Sequence, residues 1–425
     1  MSSKRIVFAT FGSLGDLHPY IAVARELARR GHRPSIATFD AYREAVDAAG
    51  VGFAAMRPSL AGFGEPAAIM QRLVDPWRGP EFLVRQMFMP HLRETYEDLA
   101  RAVDGADLLV NHPLVFVGPL LAERRGLRWA STVLAPLSLF SAIDPPLFPG
   151  APWLRQIRRF GAGAYRFAFR VPRLMMRNWE APLYAFRADL GLPAPGPIAQ
   201  IEGQYSPELN LALFSRSLAA PQPDWPGQTV VCGFPRYDGP PPDAATQDAL
   251  DAYFASGKPP LVFALGSSAV MIADAFWQHA IATAHRLGRR AVLITGKAPE
   301  ELGLLPRSVQ AFRYLPYSAV FPRAAAIVHP GGIGTLAQAL TAGRPQLIVP
   351  VAFDQPDNAR RTAALGVARV VPFRDATGIS MARAISALLD QQDVGARAAM
   401  LGRTIRAEDG EGAACDALLK LASTN

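Results

Sequence analysis

The amino-acid sequence predicts an α/β protein made of two doubly wound domains. Two series of apolar strands alternate with amphipathic helices, one from Arg5 onward and the other from Pro259 onward. A proline-rich stretch with few periodic residues, 216–258, separates them and is expected to be a linker. Strands that alternate with helices pair in parallel through right-handed crossovers, so each series is expected to form one parallel sheet.

The first series begins with RIVFATF, a continuous apolar run typical of a strand covered on both faces. The glycine loop GSLGD follows, and an apolar helical face then runs from Pro19 to Arg30. PSIATF, VGFAAM, ADLLVNHP and LRWASTVL are the further strands. From about 140 to 200 the alternation stops, and prolines, aromatics and arginines dominate. We assign residues 1–215 to an N-terminal domain.

The second series contains the strands PPLVFALG, AVLITG, VQAFRYL, AAIVHP and PQLIVPV, with helices between them. We assign residues 259–408 to a C-terminal domain. Residues 409–425 are predicted to form a final helix that packs back on the N-terminal domain.

Composition and charge restrict the class of protein. Half of the 425 residues are hydrophobic and 19% are charged, which excludes a disordered chain. Cys232 and Cys415 are too few and too far apart for a disulfide framework or a zinc site. We expect a cytoplasmic protein, because no long uncharged apolar stretch and no signal peptide is recognisable. The net charge of +8 fits anionic lipid or a phosphorylated small molecule, and no nucleic-acid-binding motif accompanies it.

A glycine-rich turn, VHPGGIGT, joins a strand to a helix in the second series. In open parallel sheets, ligands bind beyond the carboxyl ends of the strands, where helix N-termini favour anions. Thr335 adds a hydroxyl, and His329 adds an imidazole donor. The backbone amides of the turn belong to Gly331, Gly332, Ile333 and Gly334. The pattern predicts a phosphate or diphosphate site.

The same turn permits a structural interpretation, in which the glycines only tighten the chain and His329 is a satisfied histidine at a strand end. A second strand with a small-residue loop, ALGSS, favours ligand binding, since Ser267 and Ser268 would offer hydroxyls and amides to the same anion. A Walker A loop is excluded because no Gly-Lys-Ser/Thr follows, and GGIG lacks the first spacing of GxGxxG.

Residues 309–358, from VQAFRYLPYS to VAFDQPDN, resemble the donor-binding signature of family 1 nucleotide-sugar-dependent glycosyltransferases of the plant and bacterial natural-product type. The stretch FGSLGDLHPYIAVARELARRGH resembles the same family. Rhamnolipid-type rhamnosyltransferases are the most similar members, through VHPGGIG, DQPDN and GFPRYDG. The resemblance covers most of the chain except about 60–95 and 145–200. It implies the GT-B fold, in which two Rossmann-like domains face each other across a cleft, the first binding the acceptor and the second the nucleotide sugar.

The resemblance implies a set of contacts to the diphosphate and the sugar. His329 and the amides after it would bind the diphosphate, and Thr335 would bind a phosphate oxygen. Ser267 would approach from the other loop. Asp354 and Gln355 match the pair that hydrogen-bonds sugar hydroxyls, and together they form an acceptor array suited to a pyranose.

Recognition of the nucleoside is also implied by the resemblance. Tyr314 occupies the place of an aromatic that stacks on the base, and Leu315 would offer its backbone to the base edge. Ala337 stands where plant members have a glutamate that binds the ribose. Either Gln338 substitutes, or the ribose is a deoxyribose, which suits a dTDP-sugar. Tyr317 replaces a common glutamine, which leaves the choice of base open.

Transfer to an alcohol needs a base that removes the acceptor proton. Asp16 and His18 lie in the GSLGDLHP loop, and histidine has the more suitable intrinsic pKa. The resemblance, however, aligns the catalytic position with Asp16, and bacterial relatives carry aspartate there. We favour Asp16, with His18 as the alternative, and a third interpretation is that neither is the base. Asp16 also suits an N-cap on a helix that starts near Pro19.

Two further pairs of residues surround the predicted base. Asn111 and His112 end the strand ADLLVNHP, where relatives place a partner that orients the base. The alternative is that they only fix a turn before Pro113. Gly12 and Ser13 are expected to shape the first loop.

The acceptor side is expected in the aromatic and arginine-rich stretches of the N-terminal half. Leu154, Ile157, Phe160 and Tyr165 are predicted to line a hydrophobic pocket. The alternatives are helices that pack on the sheet with a solvated basic face, or an amphipathic helix lying on a membrane surface.

The predicted function is an inverting glycosyltransferase that moves a sugar of the rhamnose or glucose class from a dTDP- or UDP-sugar to a hydroxyl of a hydrophobic, lipid-like or polyketide-like acceptor. No cofactor or metal is expected, since the sequence has no Asp-x-Asp pair and no metal-spaced histidine cluster. The predicted partners are therefore the donor and the acceptor, with peripheral contact to an anionic membrane left open. The alternatives are a nucleotide-sugar epimerase or hydrolase on the same fold, or a noncatalytic nucleotide-sugar-binding protein.

Overall fold

The computed structural model describes residues 2–193, 196–272 and 274–423. Its contacts divide the chain into two compact units, Met1–Tyr237 with Glu408–Asn425, and Asp238–Ala407. Each unit contains one sheet, and every strand pair in both sheets is parallel. The predicted α/β class with two doubly wound domains is therefore confirmed.

The sheet of the first unit has seven strands. They are β1 (Arg5–Ala9), β2 (Arg33–Thr38), β3 (Gly52–Ala55), β4 (Leu108–Asn111), β5 (Trp129–Val133), β6 (Asn210–Ala212) and β7 (Thr229–Val231). Their order across the sheet is β3-β2-β1-β4-β5-β6-β7. The central strands β4 and β5 are buried along their whole length, as the continuous apolar runs predict.

Helices connect these strands and pack on the sheet. They are α1 (Leu14–Arg29), α2 (Arg43–Ala48), α3 (Pro66–Leu73), α4 (Gly79–Phe82), α5 (Leu92–Ala102), α6 (Gly118–Arg125), α7 (Pro152–Gln156), α8 (Ala162–Ala168), α9 (Arg170–Trp179) and α10 (Ala181–Asp189). Helix α1 begins five residues before the predicted start, because Ser13 caps it: the Ser13 Oγ accepts a hydrogen bond from the Gly15 amide at 3.2 Å. Pro19 therefore lies inside the helix.

The sheet of the second unit has six strands in the order β10-β9-β8-β11-β12-β13. They are β8 (Leu261–Ala264), β9 (Ala291–Ile294), β10 (Val309–Phe312), β11 (Ala326–His329), β12 (Gln346–Ile348) and β13 (Ala368–Val370). The helices are α11 (Ala244–Ala255), α12 (Gly266–Ala269), α13 (Asp274–Arg286), α14 (Tyr317–Val320), α15 (Ile333–Ala342), α16 (Gln355–Ala364), α17 (Gly378–Leu389) and α18 (Val394–Arg406). Alternate residues of β8 enter two separate hydrophobic clusters, one on each face of the sheet.

The two sheets share one topology. In each, the order reverses between the first strand and the fourth strand of that unit, at β1 and β4 and again at β8 and β11. In open α/β sheets this reversal is the topological switch point, and ligands bind beyond the carboxyl ends of the two strands that flank it. The loops after these four strands are thus the places where the fold itself predicts a site.

The final helix, α19 (Gly410–Ser423), belongs to the first unit and packs against α1. The guanidinium of Arg30 contacts Asp416 at 2.5 Å. The chain passes from one unit to the other at Tyr237 and Asp238. The predicted linker, 216–258, contains strand β7 and helix α11. None of the described helices has both the length and the apolar composition needed to cross a membrane.

The irregular region from about 140 to 200 forms α7 to α10 and contributes no strand between its described ends. Leu154 and Tyr165 are buried in a small hydrophobic cluster with Phe169, whereas Phe160 is 69% exposed. The expectation that these side chains line one pocket is therefore wrong. Helical periodicity turns Tyr165 and Phe169, four residues apart, toward the interior.

Candidate active site

The loops after β1 and β4 bring a carboxylate and an imidazole together. β1 and β4 are neighbours in the sheet, and the Nε2 atom of His112 lies 3.6 Å from the Oδ1 atom of Asp16. The Nδ1 atom of His112 accepts a hydrogen bond from the Leu114 amide at 3.2 Å. A neutral ring with Nδ1 as acceptor carries its proton on Nε2, so the N–H turns toward Asp16. His112 is thus placed to orient this carboxylate.

The other carboxylate oxygen of Asp16 is held by the start of α1. Oδ2 accepts hydrogen bonds from the Ser13 amide at 2.7 Å and from the Ser13 hydroxyl at 3.1 Å. This is a capping box in which Ser13 is the N-cap and Asp16 is the third helical residue. The expectation that Asp16 itself is the N-cap is wrong. The Asp16 side chain nevertheless remains 31% exposed, within reach of a substrate.

Gly12 is required by this arrangement. Its φ is +130°, a conformation that side chains rarely adopt, and a Cβ at Gly12 would overlap the carboxylate of Asp16. The Tyr42 hydroxyl donates to the Gly12 carbonyl at 2.9 Å and ties the loop to the residues after β2. Burial, together with the charge of Asp16, raises the pKa of Tyr42 to about 12, so this hydroxyl keeps its proton. Gly12 and Ser13 therefore shape the loop that holds Asp16.

His18 lies one half-turn further along α1. Its ring meets Tyr237 edge-on, with 5.2 Å between the ring centroids. Burial lowers the pKa of His18 to about 4, which makes its imidazole a weaker base than an ordinary histidine. The geometry groups His112, rather than His18, with Asp16.

Asn111 fixes the turn that carries His112. Its side chain is buried, and its Nδ2 donates to the carbonyl of His112 at 3.0 Å and to that of Val115 at 3.2 Å. Its Oδ1 packs so closely on Gly118 that a Cβ there would overlap it. Of the two residues at the end of this strand, His112 therefore faces Asp16, and Asn111 takes the alternative role of fixing the turn. The side-chain N–H groups of Asn111 are used for hydrogen bonds within the turn.

In the second unit, the imidazole of His329 is fully buried and both of its nitrogens are engaged. Nδ1 accepts from the Gly331 amide at 3.1 Å, and Nε2 pairs with the Oε1 of Gln346 at 2.9 Å. Burial lowers the pKa of His329 to about 4, which keeps the ring neutral. The expectation that His329 donates to a diphosphate is therefore wrong for this conformation. The Nε2–H of His329 is already hydrogen-bonded to the Oε1 of Gln346 on β12, and Nδ1 holds the Gly331 amide of the turn.

The N-terminus of α15 carries the groups that remain for an anion. Gly331 has a φ of +88°, and a Cβ there would lie 2.7 Å from Ile348, so the turn requires glycine. Gly332 is the N-cap of the helix. The amides of Gly334 and Thr335 follow in its first turn, where backbone N–H groups have no carbonyl partner within the helix.

The carboxylate of Asp354 is hydrogen-bonded to the amide of Ile333, the first residue of α15. Its Oδ2 accepts from the Ile333 amide at 3.2 Å and from the Nδ2 of Asn358 at 2.6 Å. The same Nδ2 donates to the Gly331 carbonyl at 2.9 Å. Asn358 thus links the glycine turn to Asp354, which lies at the edge of the anion-favouring helix end.

Two loops of the second unit meet at Thr335. A Cβ on Gly266, two residues after the end of β8, would lie 3.3 Å from the Thr335 hydroxyl oxygen. The Tyr317 hydroxyl also hydrogen-bonds Thr335, and burial raises the pKa of Tyr317 to about 12. Ser267 is half-buried beside this point. The side chain of Ser268 lies outside the described residues.

Gln355 differs from its predicted role. Its Oε1 accepts from the amides of Val351 at 2.8 Å and Ala352 at 3.2 Å, and the residue is buried. The expectation of an acceptor array from both side chains is therefore wrong for Gln355, which keeps only its amide N–H groups for a ligand. Phe353, just before it, adopts a φ of +59°, so the loop holds Asp354 through a strained residue.

The residues predicted to contact the nucleoside lie along β10, α14 and α15. Tyr314 is 45% exposed, and its hydroxyl donates to the carbonyl of Asp238, which leaves the ring held at the surface. Leu315 is buried. On α15, Ala337 is buried and Gln338 is half-buried.

Three residues of these sites, Asn358, Tyr42 and Gln346, were missed in the sequence. Asn358 had a usable signal, because it lies one helical turn after Asp354 in DQPDN. Tyr317 was considered only as a departure from the family pattern. Tyr42 and Gln346 had no local signal, since their partners Gly12 and His329 are distant in sequence.

Comparisons with known proteins identify the family of the chain. Residues 6–123 match the glycosyltransferase family 28 N-terminal domain, and residues 281–409 match the C-terminal domain of erythromycin biosynthesis protein CIII-like proteins. An O-mycaminosyltylonolide 6-deoxyallosyltransferase of Streptomyces fradiae is 30% identical over 433 residues, covering 99% of this chain and 98% of that protein.

Solved structures share the fold. The calicheamicin glycosyltransferase CalG4 superposes with a TM-score of 0.73 at 20% identity, covering 99% of this chain and 98% of that one. The glycosyltransferase VinC, solved in complex with dTDP, gives a TM-score of 0.68 at 21% identity, covering 98% and 99%. The two sheets with one repeated topology are thus the GT-B fold, and the chain belongs to the natural-product glycosyltransferases and is an enzyme of that class.

Proposed function

We propose that this glycosyltransferase is inverting and metal-independent, and that it moves a sugar of the rhamnose or glucose class from a dTDP- or UDP-sugar to a hydroxyl of a hydrophobic acceptor. The observation that carries the proposal is the pairing of Asp16 with His112 at the switch point of the first sheet. An exposed carboxylate, held at one oxygen by a helix start and faced at the other by an imidazole N–H, is a preorganised base.

The transfer step follows from this geometry. The carboxylate of Asp16 takes the acceptor hydroxyl proton while the acceptor oxygen attacks the anomeric carbon. The bond from that carbon to the diphosphate oxygen breaks on the opposite face, so the anomeric configuration inverts. The proton stays on Asp16, and the electron pair leaves with the nucleoside diphosphate. The Nε2–H of His112 holds the carboxylate in position.

The leaving diphosphate would be stabilised by the end of α15. The amides of Gly334 and Thr335 and the Thr335 hydroxyl converge there, beside the loop of Ser267. Donors fixed in advance at a helix N-terminus favour developing negative charge without reorganisation. This arrangement supports transfer without a divalent cation.

The nucleoside is proposed to be thymidine in preference to uridine. Ala337 offers no carboxylate to a ribose hydroxyl, and Gln338 is the polar residue next to it. A deoxyribose has fewer hydroxyls to hold, and VinC, which shares the fold, was solved with dTDP.

The acceptor is proposed to be hydrophobic and lipid-like or polyketide-like. The 30%-identical relative is named for transfer of a 6-deoxyallosyl group to O-mycaminosyltylonolide, which supports a deoxyhexose and a natural-product acceptor. Peripheral contact with an anionic membrane is part of this proposal, because such a surface would hold a lipid-like acceptor.

Donor and acceptor dependence tests the proposal. Incubation with dTDP-rhamnose or UDP-glucose alone should give no turnover, and a hydroxylated amphiphile should start transfer with inversion, read by NMR of the glycoside. Turnover without an acceptor would instead support the epimerase or hydrolase. Donor binding without transfer to any acceptor would support a binding protein.

Thermal unfolding in the presence of dTDP or UDP ranks the two nucleotides. A ligand at 100 times its Kd adds about 2.7 kcal/mol to the free energy of unfolding, so the nucleotide that binds more tightly should raise the Tm further.

A further inference from the structure

The segment 151–179 has an unusual charge and exposure pattern. It contains seven arginines and no aspartate or glutamate. Several large apolar side chains project from it into solvent, among them Phe167 at 69% and Leu174 at 62% exposure. Soluble surfaces rarely combine clustered exposed apolar side chains with a single sign of charge. We name its helices α8 and α9 the basic platform.

The basic platform has three distinct faces. Helical periodicity places Phe167, Val171, Leu174 and Met175 on one exposed stripe. The arginines of the same helices recur at spacings of four, three and four residues and so form a second stripe directly beside it. Arg166 and Arg170 are exposed, whereas Arg173 and Arg177 are half-buried. Arg173 pairs with Glu202, and the guanidinium of Arg177 lies over the ring of Tyr184.

The third face fastens the platform to the first unit. Tyr165 and Phe169 are buried in the hydrophobic cluster described above. At the end of α9, the fully buried carboxylate of Glu180 accepts from the Ala199 amide at 2.7 Å and from the Gln200 amide at 3.0 Å. The exposed stripe is therefore carried on a fixed support and is not a frayed end.

Positive charge lies next to exposed aromatic rings. The guanidinium carbon of Arg159 lies 4.7 Å from the ring centroid of Phe160, and that of Arg170 lies 5.2 Å from the centroid of Phe167. A cavity of about 360 Å³ beside α7 is lined by three arginines, Arg155, Arg158 and Arg159, and by one carboxylate, that of Asp144. The Nε of Arg158 is buried without a hydrogen-bond partner among the described residues, so an anion is the group that would satisfy it.

We infer that the basic platform docks on an anionic lipid surface, with its apolar stripe at the acyl boundary and its arginines on lipid phosphates. Amphipathic helices with arginine on the polar face and Phe or Leu on the other bind membranes in this way. Trp153, half exposed on α7, and Trp77, which lies against Gly150 just before α7, are the aromatic type enriched at membrane interfaces. A second copy of the chain is disfavoured, because a two-fold contact would set one arginine stripe against another.

The inference rests on the proposed function, which includes peripheral contact with an anionic membrane, and it names the surface that makes this contact. Vesicle binding is measured without donor or acceptor, so its failure and a failure of sugar transfer are separate results.

Sedimentation with vesicles tests the platform. Full-length protein should bind vesicles of phosphatidylcholine with phosphatidylglycerol and should not bind phosphatidylcholine alone. The variant Arg166→Gln/Arg170→Gln should weaken binding about 30-fold, at about 1 kcal/mol for each arginine near the surface. Phe167→Ser/Leu174→Ser should weaken it at least about ten-fold through lost apolar burial.

A matched control is available on α18, where Met400 and Arg403 are exposed. Met400→Ser/Arg403→Gln removes one exposed apolar side chain and one exposed arginine, and it should leave vesicle binding unchanged. Circular dichroism of all variants should match the wild type. The inference is overturned if the wild type ignores anionic vesicles, if it binds neutral vesicles equally well, or if the α18 control weakens binding as much as the platform variants. Concentration-dependent dimerisation that Phe167→Ser/Leu174→Ser abolishes would assign the stripe to a second copy instead.

Discussion

The Nε2 of His112 faces Oδ1 of Asp16 at 3.6 Å, and the second unit repeats the same device with another partner. In both units a His-Pro pair lies at the carboxyl end of the fourth strand of the unit. Each histidine accepts the amide two residues on through Nδ1, Leu114 for His112 and Gly331 for His329. Each then turns Nε2 toward a side-chain oxygen, of Asp16 in one unit and of Gln346 in the other. The same backbone arrangement thus turns a histidine toward a partly exposed carboxylate in one unit and toward a buried amide oxygen in the other.

Removal of the His112 side chain should slow transfer without affecting donor binding. His112→Ala removes the Nε2–H that faces Asp16 at 3.6 Å. We expect the loss of this polar contact to a charged group to cost about 1.5 kcal/mol, or roughly ten-fold in kcat. Steady-state kinetics with saturating donor measure the effect. In an Asp16→Asn background the same substitution should cost almost nothing. Additive losses would show that His112 acts independently of Asp16.

Gly12→Ala should damage both stability and transfer. The new Cβ would overlap the carboxylate of Asp16 at a backbone φ of +130°. We expect a loss of roughly 1–3 kcal/mol in unfolding free energy and a large fall in kcat, because the carboxylate must move. Gly31→Ala is the matched control, since Gly31 also has a positive φ, +85°, but no atom of the described residues lies within 4 Å of its Cβ position. Equal kcat losses in the two variants would contradict the account.

The stability of the second unit should depend on the protonation of His329. Its folded-state pKa of about 4 lies below the ordinary value of 6.5, so the unfolded chain binds the proton first. Stability is therefore fully present above pH 6.5 and is lost as the pH falls toward 4, by up to about 1.4 kcal/mol per pH unit. Urea unfolding measured at several pH values across this range gives the unfolding free energy as a function of pH. For His329→Gln, this free energy should change less steeply with pH than for the wild type. An unchanged slope would mean that the buried ring is not the titrating group.

Asp354 should oppose the diphosphate and favour the sugar. Its carboxylate lies on the Ile333 amide at the start of α15, where it competes with another anion. Asp354→Asn should bind dTDP as tightly as the wild type or up to about five-fold more tightly. The kcat/KM for the intact donor should fall about ten-fold or more through lost sugar contacts. Calorimetry with dTDP and transfer assays separate the two effects, with Asp375→Asn as an exposed control. Weaker binding of dTDP itself would contradict this role.

The sequence predicted the strands that flank the switch points because each is a continuous apolar run. It missed β6 and β7, since each has only three residues and β7 lies in a proline-rich stretch. The sequence analysis places the start of α1 near Pro19, because proline favours the first turn of a helix. The helix begins at Leu14 instead, and the capping-box spacing of Ser13 and Asp16 is the signal for that start.

The roles of the polar side chains were harder to predict than the strands. His329 was assigned to the ligand because its partner, Gln346, lies on the neighbouring strand, and no local pattern joins the two residues. Gln355 is predicted to bind the sugar, but its side-chain oxygen accepts hydrogen bonds from the Val351 and Ala352 amides just before it. The pairing of Asp16 with His112 was predictable from the resemblance alone, since the residues lie far apart in the chain and meet only through the order of β1 and β4.

The most direct test of the proposed catalytic base is the transfer rate of Asp16→Asn, measured beside its donor affinity. Asparagine keeps the shape of the side chain and cannot take the acceptor proton. We predict a fall in kcat of about 10²- to 10⁴-fold with an unchanged Kd for the donor. Transfer near the wild-type rate, or a loss confined to donor binding, would contradict the assignment.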